Sequence, residues 1–178
     1  MPQPTRPPAA RRLFTALWPD ETTRAALARC RDGWRWGAAA APEPTERLHL
    51  TLHFIGSVPE ARVGALLEGL RVPCPRFGLR LESVRRWPNG IALLAPKVVP
   101  RELIDLHAAL GDRLRGLGFA TESRRYEPHV TLARHAGGSA LPGPTPVDWQ
   151  VDGYVLVESR SREYLVQRRW PAADRLTP

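Results

Sequence analysis

RLHLTLHFIG (residues 47–56) and YEPHVTLAR (residues 126–134) carry the same four-residue pattern, His-x-Thr-Leu. The first copy begins at His49 and the second at His129, which is 80 positions later in a chain of 178 residues with 5 His. Two such matches are rare by chance, so they indicate an internal duplication. We therefore expect two related halves that each contribute one copy to a shared site.

Each copy is predicted to be a β-strand, because aliphatic residues alternate with more polar ones. Successive side chains of a strand point to opposite faces, so a His and the Thr two positions later share one face, about 6.5–7 Å apart. The two strands thus present His49 with Thr51, and His129 with Thr131. Four aliphatic residues are expected on the opposite face, where they anchor the strands: Leu50, Leu52, Val130 and Leu132.

Two imidazoles and two hydroxyls that converge on one groove suit a tetrahedral anion. A neutral His can accept a proton from an attacking water while a protonated His donates one to the leaving oxygen. The Thr hydroxyls can donate hydrogen bonds to the non-bridging phosphate oxygens. A lone His-x-Thr on a strand is more often a structural pair. The duplication makes the catalytic interpretation the better one.

A metal site is the main alternative, since His49 and His53 would share a strand face. Residues four apart on a strand are separated by about 13 Å, whereas zinc ligands bind at about 2 Å. Cys30 and Cys74 lack any spacing typical of a zinc site or a disulfide framework. The sequence also lacks the GxGxxG and GxxxxGK patterns of nucleotide-binding loops. We therefore expect neither a metal nor another cofactor.

The chain is strongly basic, with 26 Lys+Arg against 18 Asp+Glu, a net charge of +8 and a pI near 10.8. Only Lys97 is a lysine, and the guanidinium of the remaining 25 basic residues binds phosphate through two parallel hydrogen bonds. A polyanionic partner such as RNA fits this charge. A GC-rich genome would enrich Arg equally, so the charge alone does not decide the function.

The order of the predicted elements is typical of an α+β fold, because strands are often adjacent and helices separate groups of strands. A capping box at residues 57–60 is expected to begin the second helix. Leucines recur at helical spacing over residues 100–118, which predicts a third helix. The predicted strands are residues 12–18, 47–55, 77–81, 91–95, 126–134, 149–158 and 163–169, and the first two helices are residues 20–33 and 57–70.

Residues 11–171 are predicted to form a single domain, with a Pro-rich disordered tail at residues 1–10 and a second tail at residues 172–178. The 43% hydrophobic content is enough for a core. We find neither a signal peptide nor a run of about 18 to 20 apolar residues that could cross a membrane. A monomeric, cytoplasmic protein is therefore expected.

The two His-x-Thr segments, together with FTALWP (residues 14–19) and ESRSREYLVQRRWP (residues 158–171), resemble the 2H phosphoesterase superfamily. Within it the chain is most similar to the RNA 2′,3′-cyclic phosphodiesterases formerly called 2′-5′ RNA ligases. The resemblance implies two pseudo-symmetric lobes that face each other across a central groove. Each lobe would be an antiparallel sheet with helices on its outside.

The resemblance also implies an activity, the metal-independent hydrolysis of an RNA 2′,3′-cyclic phosphate end to a 2′-phosphate. His49 would be the proton donor and His129 the proton acceptor, while Thr51 and Thr131 would bind the phosphate. RNA with a cyclic phosphate end, with tRNA fragments as one candidate, would be the partner. Hydrolysis of 2′-5′ oligoadenylate or ADP-ribose 1″,2″-cyclic phosphate, reversible 2′-5′ ligation, and non-catalytic RNA binding stay open as alternatives.

The resemblance points to three further residues that would bind substrate. It implies that Arg134 would contact phosphate, but strict alternation places Arg134 opposite His129, so this role requires the strand to end or bulge near Ala133. Phe14 and Tyr126 could stack on the terminal base. Phe54 alternates onto the face of Leu50 and is expected in the core. No role is predicted for the other histidines.

Overall fold

A computed structural model of the protein describes residues 9–143, 145–161 and 163–173. Helices separate groups of consecutive strands along these residues, which is the order expected of an α+β protein. The elements are β1 (Ala10–Leu17), α1 (Glu21–Asp32), β2 (Ala41–Pro42), β3 (Leu50–Pro59), α2 (Glu60–Gly69), β4 (Phe77–Leu81), β5 (Ser83–Arg86), β6 (Ala92–Ala95), α3 (Arg101–Gly116), β7 (Val130–Arg134), β8 (Val147–Val151), β9 (Gly153–Ser159) and β10 (Tyr164–Pro171).

One eight-stranded sheet runs through the whole molecule in the order β10-β9-β1-β3-β7-β6-β5, and β2 adds to β7. All of its pairings are antiparallel. The strands that carry the two repeats are neighbours, because β3 pairs with β7 at Leu50 and Val130. The predicted α+β class is confirmed, and the two halves share a continuous sheet.

One face of this sheet is covered by the three helices and by a small second sheet of β4 and β8. The main core lies between these layers, and the four anchoring aliphatics of the repeats belong to it, as predicted. A smaller cluster of Phe14, Ala16, Val155 and Val157 lies on the opposite face. That face is therefore the one left to the polar side chains of the repeats.

Helix α3 follows the prediction closely, since its buried positions include Leu103, Leu106, Leu110 and Leu114. The capping box predicted at residues 57–60 is wrong. Ser57 belongs to β3, and α2 begins after Pro59 without a side-chain cap. The Glu60 carboxylate accepts a hydrogen bond from Arg11 Nε at 2.8 Å and forms an ion pair instead of a cap.

The predicted closing strand at residues 149–158 is two strands, and they belong to different sheets. The chain leaves β8 and enters β9 at Gly153, whose φ of +146° is accessible to glycine. A Cβ there would approach the Trp170 carbonyl oxygen to 2.3 Å. The strand β5 was not predicted, and it forms a hairpin with β6 around Gly90.

The ends of the predicted domain lie close to the limits of the described residues. Ala10 already belongs to β1, while residues 1–8 of the predicted N-terminal tail lie outside the described part. In the predicted C-terminal tail, Ala172 N–H donates to the Asp152 carbonyl and Ala173 N–H to the Cys74 carbonyl. Residues 174–178 are outside the described part. Among the helices described, none is long and apolar enough to cross a membrane.

Candidate active site

Both histidines of the repeats lie one residue before a strand, and both are held in the same way. His49 Nδ1 lies 2.5 Å from the carbonyl oxygen of Arg47, and His129 Nδ1 lies 2.7 Å from that of Glu127. A carbonyl only accepts, so Nδ1 carries the proton in each ring. Each neutral imidazole therefore has an unprotonated Nε2, which is the atom available for proton transfer.

The two threonines lie on the same side of the sheet as the histidines. His49 Nε2 accepts a hydrogen bond from Thr51 Oγ1 at 3.1 Å, and Thr131 is half-buried at the equivalent place. In antiparallel register, the pairing of Leu50 with Val130 sets His49 beside Thr131 and Thr51 beside His129. The duplicated motifs thus meet as four alternating imidazole and hydroxyl groups, as predicted from the repeat.

Aromatic rings surround the first histidine. The centroid of His49 lies 4.9 Å from that of Phe14, 5.7 Å from that of Trp18 and 5.4 Å from that of Tyr164. Burial among these rings lowers the pKa of His49 to about 4. The hydrogen bond to the Arg47 carbonyl raises this pKa, while Arg24, His129 and Arg134 lower it. The effect of His129 on the pKa of His49 agrees with the convergence of the two histidines on one groove.

The second histidine, His129, has one aromatic neighbour and several charged neighbours. The Trp87 ring meets the His129 ring edge-on at 4.6 Å. Burial lowers the pKa of His129, the hydrogen bond to Glu127 raises it, and Arg124 and Arg85 lower it. Both imidazoles are therefore neutral at pH 7 in the free protein.

The duplication extends to an irregularity of the backbone. Ala16 pairs with Thr51 and Thr15 with His53, so Leu52 is an extra residue of β3 against β1. In the second copy Leu93 pairs with Thr131 and Ala92 with Ala133, which leaves Leu132 as the extra residue of β7 against β6. The same Leu of each motif thus forms a β-bulge, and the residues that follow it change faces.

The predicted role of Arg134 required a bulge near Ala133, and the bulge at Leu132 turns Arg134 to the face of His129. Leu132 and Ala133 are consecutive buried residues, and Arg134 after them is exposed. Arg134 Nε donates to Glu43 Oε1 at 3.0 Å, and its charge is among those that lower the pKa of His49. Arg134 therefore lies at the groove, although contact with a phosphate is still a prediction.

The equivalent bulge in β3 corrects two expectations. Phe54 is not in the core: it is 39% exposed, and its ring stacks on Phe14 with centroids 5.8 Å apart. The Arg12 guanidinium lies 5.4 Å from the Phe54 ring centroid. His53 does not share a face with His49, because the extra residue turns it to the helix side, where its ring stacks on His107. Strict alternation was wrong here because it ignores the bulge.

Phe14 and Tyr126 lie next to the site, where their rings pack against other side chains of the protein. Phe14 is only 1% exposed and packs against His49, so its ring forms a wall of the site and has no free face for a base. Tyr126 OH donates to the Thr51 carbonyl at 3.2 Å, and its ring stacks on His107 with centroids 3.7 Å apart. The buried Phe14 thus offers no ring face for a base, whereas base stacking by Tyr126 stays a prediction.

Three site residues were not predicted: Trp18, Trp87 and Tyr164. Trp18 and Tyr164 are within segments that resemble the superfamily, which was the only available signal. Their contacts with the histidines join positions far apart in the sequence, which periodicity cannot reveal. Among the described residues, no group of three or more His, Cys, Asp or Glu side chains could hold a metal ion.

Comparison with known families identifies this arrangement. Residues 19–163 match the sequence profile of the 2′-5′ RNA ligase superfamily. The chain belongs to this superfamily. The resemblance inferred from the two His-x-Thr motifs is therefore confirmed, and the matched region contains both motifs.

Curated members of the 2′-5′ RNA ligase superfamily are similar over most of the chain. The RNA 2′,3′-cyclic phosphodiesterase of Escherichia coli (strain K12) is 31% identical over 140 residues, which are 74% of this chain and 80% of the relative. The protein of the same name from Thermus thermophilus is 29% identical over 164 residues, covering 83% of this chain and 81% of the relative.

Solved structures of the superfamily have the same fold. Escherichia coli LigT in apo form aligns with a TM-score of 0.81 and 28% identity, over 92% of this chain and 98% of LigT. LigT complexed with 3′-AMP aligns with a TM-score of 0.80 and 28% identity, over 92% and 99% of the two chains. The fold prediction thus agrees with an experimental superfamily structure.

Proposed function

We propose that this protein is an enzyme that hydrolyses the 2′,3′-cyclic phosphate at the end of an RNA to a 2′-phosphate, without a metal ion. The observation that carries the proposal is the matched pair of histidines. Each donates its Nδ1 proton to a carbonyl and presents Nε2 to a shared groove beside a threonine. Relatives named RNA 2′,3′-cyclic phosphodiesterase support the same reaction.

The reaction needs one proton acceptor and one proton donor. His129 Nε2 accepts a proton from water as the water oxygen attacks phosphorus, and the bond from phosphorus to the 3′ oxygen breaks. His49, protonated at Nε2, donates its proton to that 3′ oxygen. The product is a 2′-phosphomonoester with a free 3′-hydroxyl. The strained five-membered ring makes the ester reactive, so positioned imidazoles can suffice.

Hydrogen-bond donors must hold the charge that develops on the non-bridging oxygens. We assign this task to the Thr51 and Thr131 hydroxyls, which flank the histidines, and to the Arg134 guanidinium. Thr51 already donates to His49 Nε2 in the free protein. Binding of a phosphate would therefore exchange that hydrogen bond for one to a phosphate oxygen.

Substrate binding must also cause His49, the proton donor, to take up a proton from solvent. His49 is neutral at pH 7 in the free protein because its pKa is lowered to about 4. An anionic phosphate placed next to a buried imidazole favours its charged form and raises its pKa. Protonation of His49 is thus coupled to binding of the cyclic phosphate, and this coupling distinguishes the substrate from a neutral nucleoside.

The net charge of +8 fits an RNA partner, and we propose tRNA fragments as a candidate source of cyclic phosphate ends. We further propose that the protein acts as a monomer in the cytoplasm. Cys30 and Cys74 are both buried and free, which is typical of reducing compartments.

The decisive experiment combines a defined substrate with matched variants. A short RNA with a 2′,3′-cyclic phosphate end is incubated with the protein in excess EDTA, and the product is identified by ³¹P NMR. We expect a 2′-phosphate, and we expect His49→Ala and His129→Ala each to lower kcat/KM by at least about 100-fold. His135→Asn is the control, because His135 is exposed and its φ of +54° suits Asn.

Each contrary result has a distinct meaning. Near-normal turnover by either Ala variant would make the repeat structural, and a 3′-phosphate product would reverse the roles given to the two ring oxygens. Activity lost in EDTA and restored by a metal would reject the metal-independent mechanism. Salt-sensitive binding without turnover would identify an RNA-binding module. Joining to a 5′-hydroxyl RNA, added in a parallel reaction, would show ligation.

A further inference from the structure

Three side chains outside the reacting groups form a continuous stack of rings. The His53 and His107 rings lie 4.0 Å apart between centroids with an angle of 17°, and the His107 and Tyr126 rings lie 3.7 Å apart with an angle of 13°. They come from β3, from α3 and from the irregular segment 119–129. This ring column, His53–His107–Tyr126, therefore joins three separate parts of the chain.

Hydrogen bonds hold both ends of the ring column. His53 Nε2–H donates to the carbonyl of His107 at 2.7 Å, and the His53 backbone N–H donates to Thr15 Oγ1 at 3.1 Å. At the other end Tyr126 OH donates to the Thr51 carbonyl at 3.2 Å. The column thus begins and ends on β3, beside the residues that precede and follow the bulge.

Helix α3 has a glycine, Gly111, where it packs against the His53 ring. A Cβ at Gly111 would approach His53 Cε1 to 3.2 Å and Nε2 to 3.4 Å, so any larger residue there would press on the imidazole. His53 is only 7% exposed. Burial lowers the pKa of His53 and lowers that of His107 to about 4, so the stacked rings are uncharged at pH 7.

The ring column contacts the segment that leads into His129, the second catalytic histidine. Tyr126 is followed by Glu127, whose carbonyl accepts the Nδ1 proton of His129. Residues 119–129 form neither a helix nor a strand, so no backbone ladder holds them. The stacking of Tyr126 on His107 therefore fixes the approach of this segment to the groove.

We propose that His107 is a positioning residue, which stacks between His53 and Tyr126 and thereby holds His129 in its place opposite His49. The proposal rests on the proposed function, since it assigns His107 a part in the same reaction. His107 acts only through Tyr126 and the segment that follows it. Its imidazole serves as a flat ring, and its proton chemistry is not used.

The test compares a flat and a non-flat replacement of His107. His107→Leu removes the planar ring, whereas His107→Phe keeps it. We expect His107→Leu to lower kcat on the cyclic-phosphate RNA by roughly 10- to 100-fold, because small displacements of a catalytic group have effects of this size. KM should change by less than about threefold, because the sheet holds the phosphate-binding threonines. His107→Phe should retain kcat within about threefold.

Leu103→Val is the matched control for stability, because Leu103 is buried on the same helix one turn earlier and outside the column. It should lower the melting temperature and leave the kcat of the folded protein unchanged. The imidazole NMR signals of His129 give a second readout, which should shift in His107→Leu and stay in place in His107→Phe. A merely structural role of His107 would move only the melting temperature.

A kcat of folded His107→Leu within about threefold of the parent would overturn the proposal, and so would equal losses in His107→Leu and His107→Phe. If His107→Leu does not fold, Tyr126→Leu is compared with Tyr126→Phe by the same criteria. Absence of turnover in the parent protein would reject the proposed function alone. The ring column would then be accepted or rejected on the His129 NMR signals.

Discussion

Phe54 and Arg134 occupy equivalent positions in the two copies of the repeat, each five residues after its histidine and each turned to the surface by the bulge before it. Their side chains differ completely, since one is an aromatic ring and the other a cation. The bulged backbone of the site is thus duplicated, while the residue that it turns to the surface differs between the two copies.

Phe54 is expected to bind the terminal base. Its ring is exposed next to Phe14, and stacking of a base on an aromatic side chain contributes about 1–3 kcal/mol. Phe54→Ala should therefore raise KM for the cyclic-phosphate RNA by about 5- to 100-fold with little change in kcat. Steady-state kinetics check this, with Phe54→Tyr as a variant that keeps the ring. Ile104→Ala removes a comparably exposed apolar residue on α3 and should have no effect.

Arg134 is expected to bind the phosphate and to tune His49. Loss of a hydrogen bond to a charged group costs about 1.5–3 kcal/mol, so Arg134→Gln should raise KM by about tenfold or more. The same change removes one of the charges that lower the pKa of His49, so this pKa should rise. NMR titration measures the second effect. Arg80→Gln is the control, because Arg80 is also paired with a carboxylate but lies on the small sheet. A fall in the pKa of His49 would contradict the placement of Arg134.

The pH dependence of the reaction should differ between the free and the bound enzyme. The pH profile of kcat/KM reports the free enzyme, in which the pKa values of both His49 and His129 are lowered. Its maximum should therefore lie below pH 6.5 and the rate should decline as the donor loses its proton. The profile of kcat reports the complex, where the phosphate raises both pKa values, so its maximum should lie at higher pH. A kcat/KM maximum above pH 7 would show that burial does not govern these groups.

Alternation along the strands was sufficient to predict the centre of this site. It placed His49 and Thr51 on one face and Leu50 and Leu52 on the other, because residues two positions apart in a regular strand share a face. It failed after Leu52, at His53 and Phe54. A bulge depends on how a strand pairs with its neighbour, and the pairing of Thr15 with His53 is not visible in β3 alone.

The remaining differences have the same origin in long-range contacts. Trp18, Trp87 and Tyr164 pack on the histidines from elements that no local pattern connects to the motifs. The capping box at residues 57–60 was locally plausible, but β3 continues to Pro59 because it pairs with β1 along this stretch. Tertiary pairing thus overrode a local preference that has a strength of about 1 kcal/mol.

Acidification from about pH 6.5 towards pH 4 should destabilise the fold, because buried histidines resist protonation in this range. The pKa of His49 and that of His107 are both lowered to about 4, against 6.5 for an exposed imidazole. Between these values the unfolded chain binds protons that the folded protein excludes, so the free energy of unfolding is largest above pH 6.5 and falls as the pH falls. For the enclosed His49 the full difference corresponds to about 3 kcal/mol. His107 adds to the loss in the same direction.

Urea unfolding at several pH values between 7 and 5 measures this loss, since the carboxylates titrate mainly below that range. His107→Phe removes one of the titrating rings while keeping the ring column, so its stability should decline less steeply than that of the parent. His135→Asn changes an exposed histidine and should keep the parent slope. A stability that is constant or increases on acidification would mean that the buried imidazoles are protonated in the fold. The neutral stack of His53, His107 and Tyr126 would then be wrong.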